Sequence, residues 1–235
     1  MAPTATKTAN RSNHPNETKG KIITCKAAVA YGPGEPLVVE EIIVHPPRKM
    51  EVRIKILYTS ICHTDLSGWQ GESEPQRAFP RIFGHEASGI VESVGEGVSD
   101  MKERDYVVVI FNGECGECVY CTCEKTNMCE KFGVNPMKKE MCDGTSRFST
   151  KDGKAIFHFM NTSTFTEYTV VDSACVVKIN PQYTSSLKNL TLLSCGVSTV
   201  MCISNKSDSE NLVEQDLWSL RKKIIASRMS RKQEK

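Results

Sequence analysis

Residues 113–129 read GECGECVYCTCEKTNMC, and this stretch places the strongest constraint on the fold. Four of its cysteines are separated by two, two and seven residues: Cys115, Cys118, Cys121 and Cys129. Thiolates at such spacings can close around one tetrahedral zinc ion, which leaves no position open for a substrate. The stretch therefore predicts a structural zinc lobe at about residues 112–145, with Cys123 as a non-ligand inside it.

A second set of metal-binding side chains is spread over a longer part of the chain. It comprises two cysteines and one histidine: Cys62, His85 and Cys195. A Cys2His set is the kind that holds a catalytic zinc ion with one position open. Glu86 follows His85 and either approaches the metal or lies outside the ligand set as a supporting or surface carboxylate. The pattern predicts an open zinc site, and a core thiol with a core histidine is the alternative.

The composition argues against several other classes of protein. Hydrophobic residues make up 39% and charged residues 25% of the 235 residues, which is typical of a soluble globular protein. The net charge of +2 gives no strong attraction to nucleic acid or membrane surfaces, and no apolar run approaches the roughly 20 residues of a membrane span. Eleven cysteines without a secretory signal favour metal binding over disulfides. We expect a cytoplasmic protein, with a transit peptide as the less favoured alternative.

The chain divides into three regions. Residues 1–20 are polar and lack periodicity, which predicts disorder. Residues 21–199 contain short β-branched runs separated by Gly and Pro, which predict a mainly β barrel or sandwich. The predicted strands are Ala27–Tyr31, Leu37–Ile43, Val52–Ser60, Gly89–Val94, Tyr106–Phe111, Phe165–Val171 and Cys175–Ile179.

Helical spacing of apolar residues occurs near the end of the chain. Leu187, Leu190, Leu193 and Val197 lie at helical spacing and predict the beginning of a helix within residues 184–199. Residues 200–235 lose the strand pattern and form a divergent tail, predicted to be partly helical or disordered. Its apolar stripe consists of Val213, Leu217, Leu220 and Ile224.

No G-x-G-x-x-G sequence occurs in the 235 residues. Gly95-Glu96-Gly97 comes nearest, but Asp100 occupies the third glycine position. The glycine turn of a dinucleotide-binding βαβ unit is therefore not predicted. A zinc-ribbon module for nucleic acid is also disfavoured, because basic residues do not interleave with aromatic ones around the cysteines.

Several longer stretches together resemble one family of enzymes: ITCKAAVAY, EVRIKILYTSICHTD, FPRIFGHEASGIVESVGEGV, TSRFSTKDGK, TSTFTEYTVVDSACVVKINP and LLSCGVST, with the cysteine-rich stretch. From about Thr24 to Thr199 the chain resembles the zinc-containing alcohol dehydrogenases of the medium-chain dehydrogenase/reductase superfamily, in particular their plant alcohol-dehydrogenase-like branch. The resemblance implies a GroES-like catalytic domain with a structural zinc lobe. It also implies reversible oxidation of small alcohols to aldehydes or ketones with NAD. The match ends at Thr199, so the chain is expected to be truncated before the family's Rossmann domain and its usual dimer region.

The resemblance implies two zinc ions per chain and a role for each matching residue. Cys62, His85 and Cys195 would hold the catalytic zinc, which acts on the alcohol as a Lewis acid. Glu86 would approach this zinc from behind, and Asp65 would hydrogen-bond a metal-ligating histidine. The four cysteines of the 113–129 stretch would hold the structural zinc.

The remaining implied roles concern the proton, the cofactor and the substrate. Thr64 would receive the alcohol proton, and Ser67, where many members have His or Tyr, would continue the relay through water. His63 would contact the cofactor pyrophosphate and Thr199 the nicotinamide edge. Phe111 would line the substrate pocket. Two functions stay open: an alcohol dehydrogenase by family, or a non-catalytic zinc-binding fragment or truncated isoform that lacks cofactor binding.

Overall fold

The computed structural model describes residues 18–123 and 126–198. Within these residues ten strands carry most of the regular structure: β1 (Ile23–Ala30), β2 (Val38–Val44), β3 (Glu51–Thr59), β4 (Arg81–Ile82), β5 (Ala87–Val94), β6 (Tyr106–Val109), β7 (Phe148–Ser149), β8 (Ala155–Ile156), β9 (Tyr168–Asp172) and β10 (Val176–Lys178). The α-helices are short: α1 (His63–Gln70), α2 (Val119–Thr122) and α3 (Leu187–Leu190). Four 3-10 turns lie at Glu74–Gln76, Ser173–Cys175, Pro181–Ser186 and Thr191–Ser194.

The strands form two sheets of five strands each. One sheet has the order β4-β1-β2-β7-β8, and the other has the order β10-β6-β5-β3-β9. All pairings between these strands are antiparallel. Antiparallel neighbours need only hairpins or short loops between them, which agrees with the Gly- and Pro-punctuated sequence. The prediction of a mainly β domain with some α-helix is confirmed.

Each sheet buries one face in an apolar cluster. In β2 the alternate residues Ile42 and Val44 are buried, because successive side chains of a strand point to opposite faces. They pack with Val29 and Phe148 in the first cluster. The second sheet has its own cluster, which includes Val52, Ile54, Val91, Val107 and Val171. Burial of these side chains supplies the main stabilisation of the domain.

A buried ion pair joins the two sheets. Arg147, just before β7, donates through Nε to Glu51 Oε2 at 2.8 Å and through Nη2 to Glu51 Oε1 at 2.5 Å. Glu51 begins β3 in the other sheet. Arg147 Nη2 also donates to Asp143 Oδ2 at 2.7 Å, so the pair connects both sheets to the end of the cysteine-rich region.

Several element boundaries differ from the predictions. The strand predicted at Phe165–Val171 begins only at Tyr168, and Thr166 makes an isolated bridge to Ala27 instead. The helix expected within residues 184–199 is interrupted: α3 is flanked by 3-10 turns, and helical backbone resumes at residues 196–198, where the described range ends. The Leu187 carbonyl accepts the helical hydrogen bond from the Thr191 amide and also accepts from the hydroxyls of Ser88 and Thr191.

The N-terminal boundary also differs. Thr18–Gly20, predicted to be disordered, form a turn against the second sheet. The Thr18 carbonyl accepts from Arg53 Nη2 at 2.7 Å, and its hydroxyl contacts Glu92. Residues 1–17 and the tail at 200–235 lie outside the described residues, so the predictions for them stay predictions. Among the described residues, no helix combines the length and apolar character needed to cross a membrane.

Candidate metal centres

The first candidate centre, called the open cluster here, brings together four side chains from distant parts of the chain: Cys62, His85, Glu86 and Cys195. One ligand atom from each lies within 4.8 Å of all the others. Cys62 Sγ and Cys195 Sγ are 3.9 Å apart, and His85 Nε2 is 3.9 Å from Glu86 Oε1. The three predicted zinc ligands therefore meet at one point.

Local structure explains how these residues reach that point. Cys62 immediately precedes α1 and lies three residues after the end of β3 at Thr59. His85 lies in the short segment between β4 and β5, after Gly84, whose φ of +94° places it in the left-handed region. Cys195 follows the last 3-10 turn. The open cluster is thus formed by short segments at the ends of separate elements.

Asp65 orients the histidine of the open cluster. Its Oδ1 accepts from His85 Nδ1 at 2.9 Å and from the Gly84 amide at 3.0 Å. Its Oδ2 accepts from the Cys62 amide at 2.9 Å. Because Nδ1 donates to a carboxylate, the lone pair of His85 lies on Nε2. The predicted contact between Asp65 and a histidine of the metal set is present.

Glu86 is held close to the same point. Its side chain is buried, which excludes the surface carboxylate considered in the sequence. Ser60 Oγ donates to Glu86 Oε2 at 2.5 Å, so Oε1 is the oxygen that faces His85. Glu86 can therefore approach a metal or support its ligands.

The open cluster fits a divalent cation. His85 Nε2 is buried and has no hydrogen-bond partner among the described residues. Burial tends to lower the pKa of His85, but the bond to Asp65 and the Cys62 charge raise it above its ordinary value. Burial and the neighbouring Cys62 charge raise the pKa of the Cys195 thiol to about 12. Two thiolates this close repel each other unless a cation lies between them, and zinc binds this donor set.

The residues predicted to handle a proton surround the beginning of α1. Thr64 Oγ1 lies 3.7 Å from Cys62 Sγ, and Ser67 Oγ lies 3.3 Å from His63 Nδ1. Phe111 packs edge-on against His85, with ring centroids 5.3 Å apart. Thr199, predicted at the nicotinamide edge, lies outside the described residues.

A cleft of about 290 Å³ includes Thr64, whose Oγ1 lies 3.7 Å from Cys62 Sγ, but none of the four residues of the open cluster lines it. Its lining contains polar side chains of α1 and of the segment after it: His63, Thr64, Ser67, Glu72, Ser73 and Gln76. Pro136, Phe159 and Met160 complete the lining. The ring centroids of Phe159 and His85 are 6.1 Å apart.

Sequence reasoning missed most of the cleft. Only His63, Thr64 and Ser67 were singled out, because they lie in the Cys-His-Thr-Asp stretch or a turn after it. Phe159 and Met160 belong to a loop in which Met160, with a φ of +47°, adopts the left-handed conformation. No spacing rule signals such a loop, because its position depends on tertiary contacts.

The second candidate centre, called the closed cluster here, consists of Cys115, Cys118, Cys121 and Cys129. Their sulfur atoms all lie within 4.8 Å of one another. Backbone amides point at three of the sulfurs: Phe132 and Cys115 donate to Cys129 Sγ at 3.3 and 3.4 Å, Cys118 donates to Cys115 Sγ, and Cys121 donates to Cys118 Sγ. Amide donors of this kind stabilise thiolates. Exposed Cys123 is not a member, as the spacing predicts.

The thiols of the closed cluster also have strongly divergent acidities. Backbone donors, beginning with that of Glu130, lower the pKa of Cys118 to about 6. Burial raises the pKa of Cys121 to about 12. Four crowded sulfurs cannot all ionise without a cation, and a closed set of four thiolates suits zinc.

Comparison with known proteins identifies the family. The profile described as "Alcohol dehydrogenase GroES-like domain" matches residues 48–181, which is more than half of the chain. The chain belongs to this family. Its fold is that of the mainly β GroES-like N-terminal domain of alcohol dehydrogenases.

Individual relatives agree with this assignment. The chain is 66% identical over 192 residues to "Alcohol dehydrogenase-like 3" of Arabidopsis thaliana, covering 78% of this chain and 48% of the relative. It is 55% identical to "Alcohol dehydrogenase 1" of Petunia hybrida over 185 residues, 78% of this chain and 47% of the relative. The chain thus spans about half the length of the curated relatives it matches.

Solved structures show the same fold. An alcohol dehydrogenase zinc-binding domain protein from Burkholderia ambifaria aligns with a TM-score of 0.68 at 29% identity, over 75% of this chain and 47% of that one. The benzyl alcohol dehydrogenase of Acinetobacter calcoaceticus aligns with a TM-score of 0.64 at 26% identity, over 74% and 46% respectively.

Replacing Asp65 tests the orientation of the open cluster. Asp65→Asn keeps the size of the side chain but removes one of the oxygens that accept hydrogen bonds. Loss of a carboxylate that orients a metal-ligating histidine typically weakens metal binding by 10–100-fold, so we expect about this loss at the open cluster. Competition between the chain and a chelator, followed by the absorption of bound Co²⁺, measures the affinity. Glu74→Gln, an exposed change in the 3-10 turn, is the control, and equal affinities in the two variants would contradict the role of Asp65.

Proposed function

We propose that the chain carries the zinc-binding and substrate-binding part of an NAD-dependent alcohol dehydrogenase, which oxidises alcohols to aldehydes or ketones. The observation that supports this most directly is the convergence of Cys62, His85 and Cys195 beside a cleft. In this proposal the closed cluster holds a second, structural zinc.

The residues around the open cluster would have separate roles in binding the metal. Cys62, His85 and Cys195 would hold the zinc of the open cluster, and Glu86, fixed by Ser60, would approach it. When bound, this zinc would supply Lewis-acid polarisation of the alcohol oxygen. Asp65 keeps the lone pair of His85 directed at the metal position.

Other side chains orient the substrate and limit water. Phe111 and Phe159 pack against the His85 ring and make that side of the site apolar. The alcohol carbon that gives up hydride would lie beside the Phe111 and Phe159 rings. A dry surrounding strengthens the electrostatic effect of the site on the reacting oxygen.

The proton would leave past the polar side chains that line the cleft. The Thr64 hydroxyl, near Cys62, would accept it from the alcohol. Ser67 and His63, which contact each other at 3.3 Å, line the same cleft and would pass it to water. Many members of the family have His or Tyr at the position of Ser67. With serine there, the relay would depend on His63 and solvent.

A non-catalytic zinc-binding protein is the second candidate. The 235 residues contain no glycine fingerprint for a dinucleotide, and the chain spans about half the length of its relatives. His63 and Thr199 alone would reach only parts of NAD. The proposed setting is the cytoplasm, with a small alcohol or aldehyde as substrate, and without nucleic acid or membrane as a partner.

Metal analysis tests the proposal that both candidates share. We expect two zinc ions per chain in reducing buffer, and one in a Cys62→Ala variant. A wild-type chain with one zinc or none would refute the open site.

Cofactor binding tests whether these residues contain a cofactor site of their own. We expect the 235-residue chain, assayed alone, to show no micromolar binding of NAD by calorimetry, because nothing in it matches a pyrophosphate-binding turn. Hydride transfer depends on holding the nicotinamide against the substrate, so we also expect no turnover of ethanol. Turnover above that of Cys62→Ala would instead favour the enzyme and would reveal a cofactor site within these residues.

A further inference from the structure

We infer that the buried guanidinium of Arg81 forms a binding site for a carboxylate, whose two oxygens would accept hydrogen bonds from Nε and Nη2. Arg81 is the first residue of β4 and is not part of either metal cluster. Such a site goes beyond the proposed function, since the alcohol chemistry at the open cluster does not use this arginine.

The other two buried arginines of the described chain are both paired with a glutamate in the same way. Arg53 donates through Nε to Glu92 Oε2 at 2.5 Å and through Nη2 to Glu92 Oε1 at 3.2 Å. Arg147 uses the same two nitrogens to bind both oxygens of Glu51. Nε and Nη2 lie on one edge of the planar guanidinium, so they match the two oxygens of a single carboxylate.

Arg81 has the same edge without such a partner. Its side chain is buried, and its Nη1 donates to the Gln76 carbonyl at 2.8 Å. Nε and Nη2 have no hydrogen-bond partner among the described residues, and Arg81 is in none of the ion pairs that these residues form. A buried charge with unpaired donors is costly. What Arg53 and Arg147 have, and Arg81 lacks, is a carboxylate.

The charges around Arg81 favour an anion. Burial lowers the pKa of Arg81 to about 10, which leaves the guanidinium charged at neutral pH. Burial and the charges of Arg147, Lys138 and Arg81 lower the pKa of His158 to about 3, although Asp143 acts in the opposite direction. The surroundings of His158 therefore carry an excess of positive charge, which an anion bound to Arg81 would reduce.

Two residues that contact Arg81 also line the cleft beside α1. They are Gln76, which accepts the Nη1 hydrogen bond, and Phe159, whose ring centroid lies 5.7 Å from the Arg81 Cζ atom. Arg81 itself is not among the lining residues, and its Nε and Nη2 are closed off from solvent. A carboxylate could reach them only if a neighbouring side chain moved, which favours a small one.

Two sources can supply the carboxylate. One is a free small carboxylate, and the other is an acidic side chain from the parts of the sequence that the structure does not describe. Those parts contain Glu17, Glu124, Asp208, Glu210, Glu214, Asp216 and Glu234. The hydrogen bonds to Nε and Nη2 would be the same in either case.

Thermal unfolding of the zinc-loaded chain tests for the free carboxylate, with sodium formate compared with sodium chloride at equal ionic strength. We expect formate at ten times its Kd to raise the Tm by about 3–6 °C relative to chloride. Arg81→Met removes the charge, and Arg81→Lys keeps a charge but lacks the Nε–Nη2 edge. Both variants should lose this rise.

Arg104→Gln is the control, because it removes an exposed arginine and should respond to formate as the wild type does. Formate bound at the open cluster would stabilise all four proteins alike, since none of the changes touches the cluster's ligands. An equal rise in the wild type and both Arg81 variants would therefore overturn the inference.

A crystal structure of the zinc-loaded chain grown with formate distinguishes the two sources. Formate on both Nε and Nη2, together with the Arg81-dependent rise in Tm, would establish a free carboxylate. An acidic side chain on the same nitrogens, with no response to formate, would show that the chain supplies its own carboxylate. Only water at both nitrogens, or formate without the rise in Tm and hence binding at crystal concentration only, would overturn the inference.

Discussion

Replacing Cys129 by serine is expected to remove the structural zinc and unfold the surrounding lobe. Cys129 is buried, and its sulfur accepts hydrogen bonds from the amides of Phe132 and Cys115. Structural zinc contributes about 10–16 kcal/mol of apparent binding free energy, which is as large as the whole stability of a typical domain, about 5–15 kcal/mol. We expect the zinc content to fall from two to one per chain. Hydrogen exchange should become fast in the amides of residues 113–133 and stay slow in β5 and β6.

Cys123→Ser is the matched control, because Cys123 lies in the same stretch but outside the closed cluster. It should leave both the zinc content and the exchange pattern unchanged. Two zinc ions in Cys129→Ser would mean that another side chain replaces the missing ligand, and the assignment of the closed cluster would be wrong.

Replacing Glu51 by alanine is expected to cost about 3–5 kcal/mol of the free energy of unfolding, because it leaves the charge of Arg147 buried without its main partner. Arg147 makes two hydrogen bonds to Glu51, and its remaining carboxylate partner, Asp143, is partly exposed. Urea denaturation of the zinc-loaded chain measures the difference. Arg147→Met with Glu51→Leu should recover much of the loss, because the buried charges then disappear together.

Glu41→Ala provides the control for an exposed ion pair. Glu41 and Lys151 are 2.6 Å apart, but both side chains are more than half exposed. Exposed pairs contribute up to about 1 kcal/mol, so this variant should lie close to wild type. A similar loss of unfolding free energy in Glu41→Ala and Glu51→Ala would show that burial does not increase the contribution of the Arg147–Glu51 pair to stability.

The four cysteines of the closed cluster lie within fifteen residues of one another and their sulfur atoms lie together, so the spacing alone was enough to single them out as a group. Over so short a distance, the ligand geometry of a metal limits the possible backbone paths. The contact between Asp65 and a histidine of the metal set was implied by the family resemblance rather than by spacing. The sequence did not predict α1, because the eight residues His63–Gln70 contain no helical stripe of apolar side chains.

The sequence by itself determined the mainly β secondary structure, the closed cluster and the identities of the candidate ligands, all of which depend on local patterns. Tertiary structure decided the rest. It brought Cys195 within 3.9 Å of Cys62, buried Glu86 against Ser60, and packed the Phe159 ring on Gly68 of α1. These contacts join residues separated by 26 to 133 positions or come from a loop with left-handed backbone. Such contacts arise only when the two sheets have packed, since no periodicity in the chain encodes the distance between separate elements.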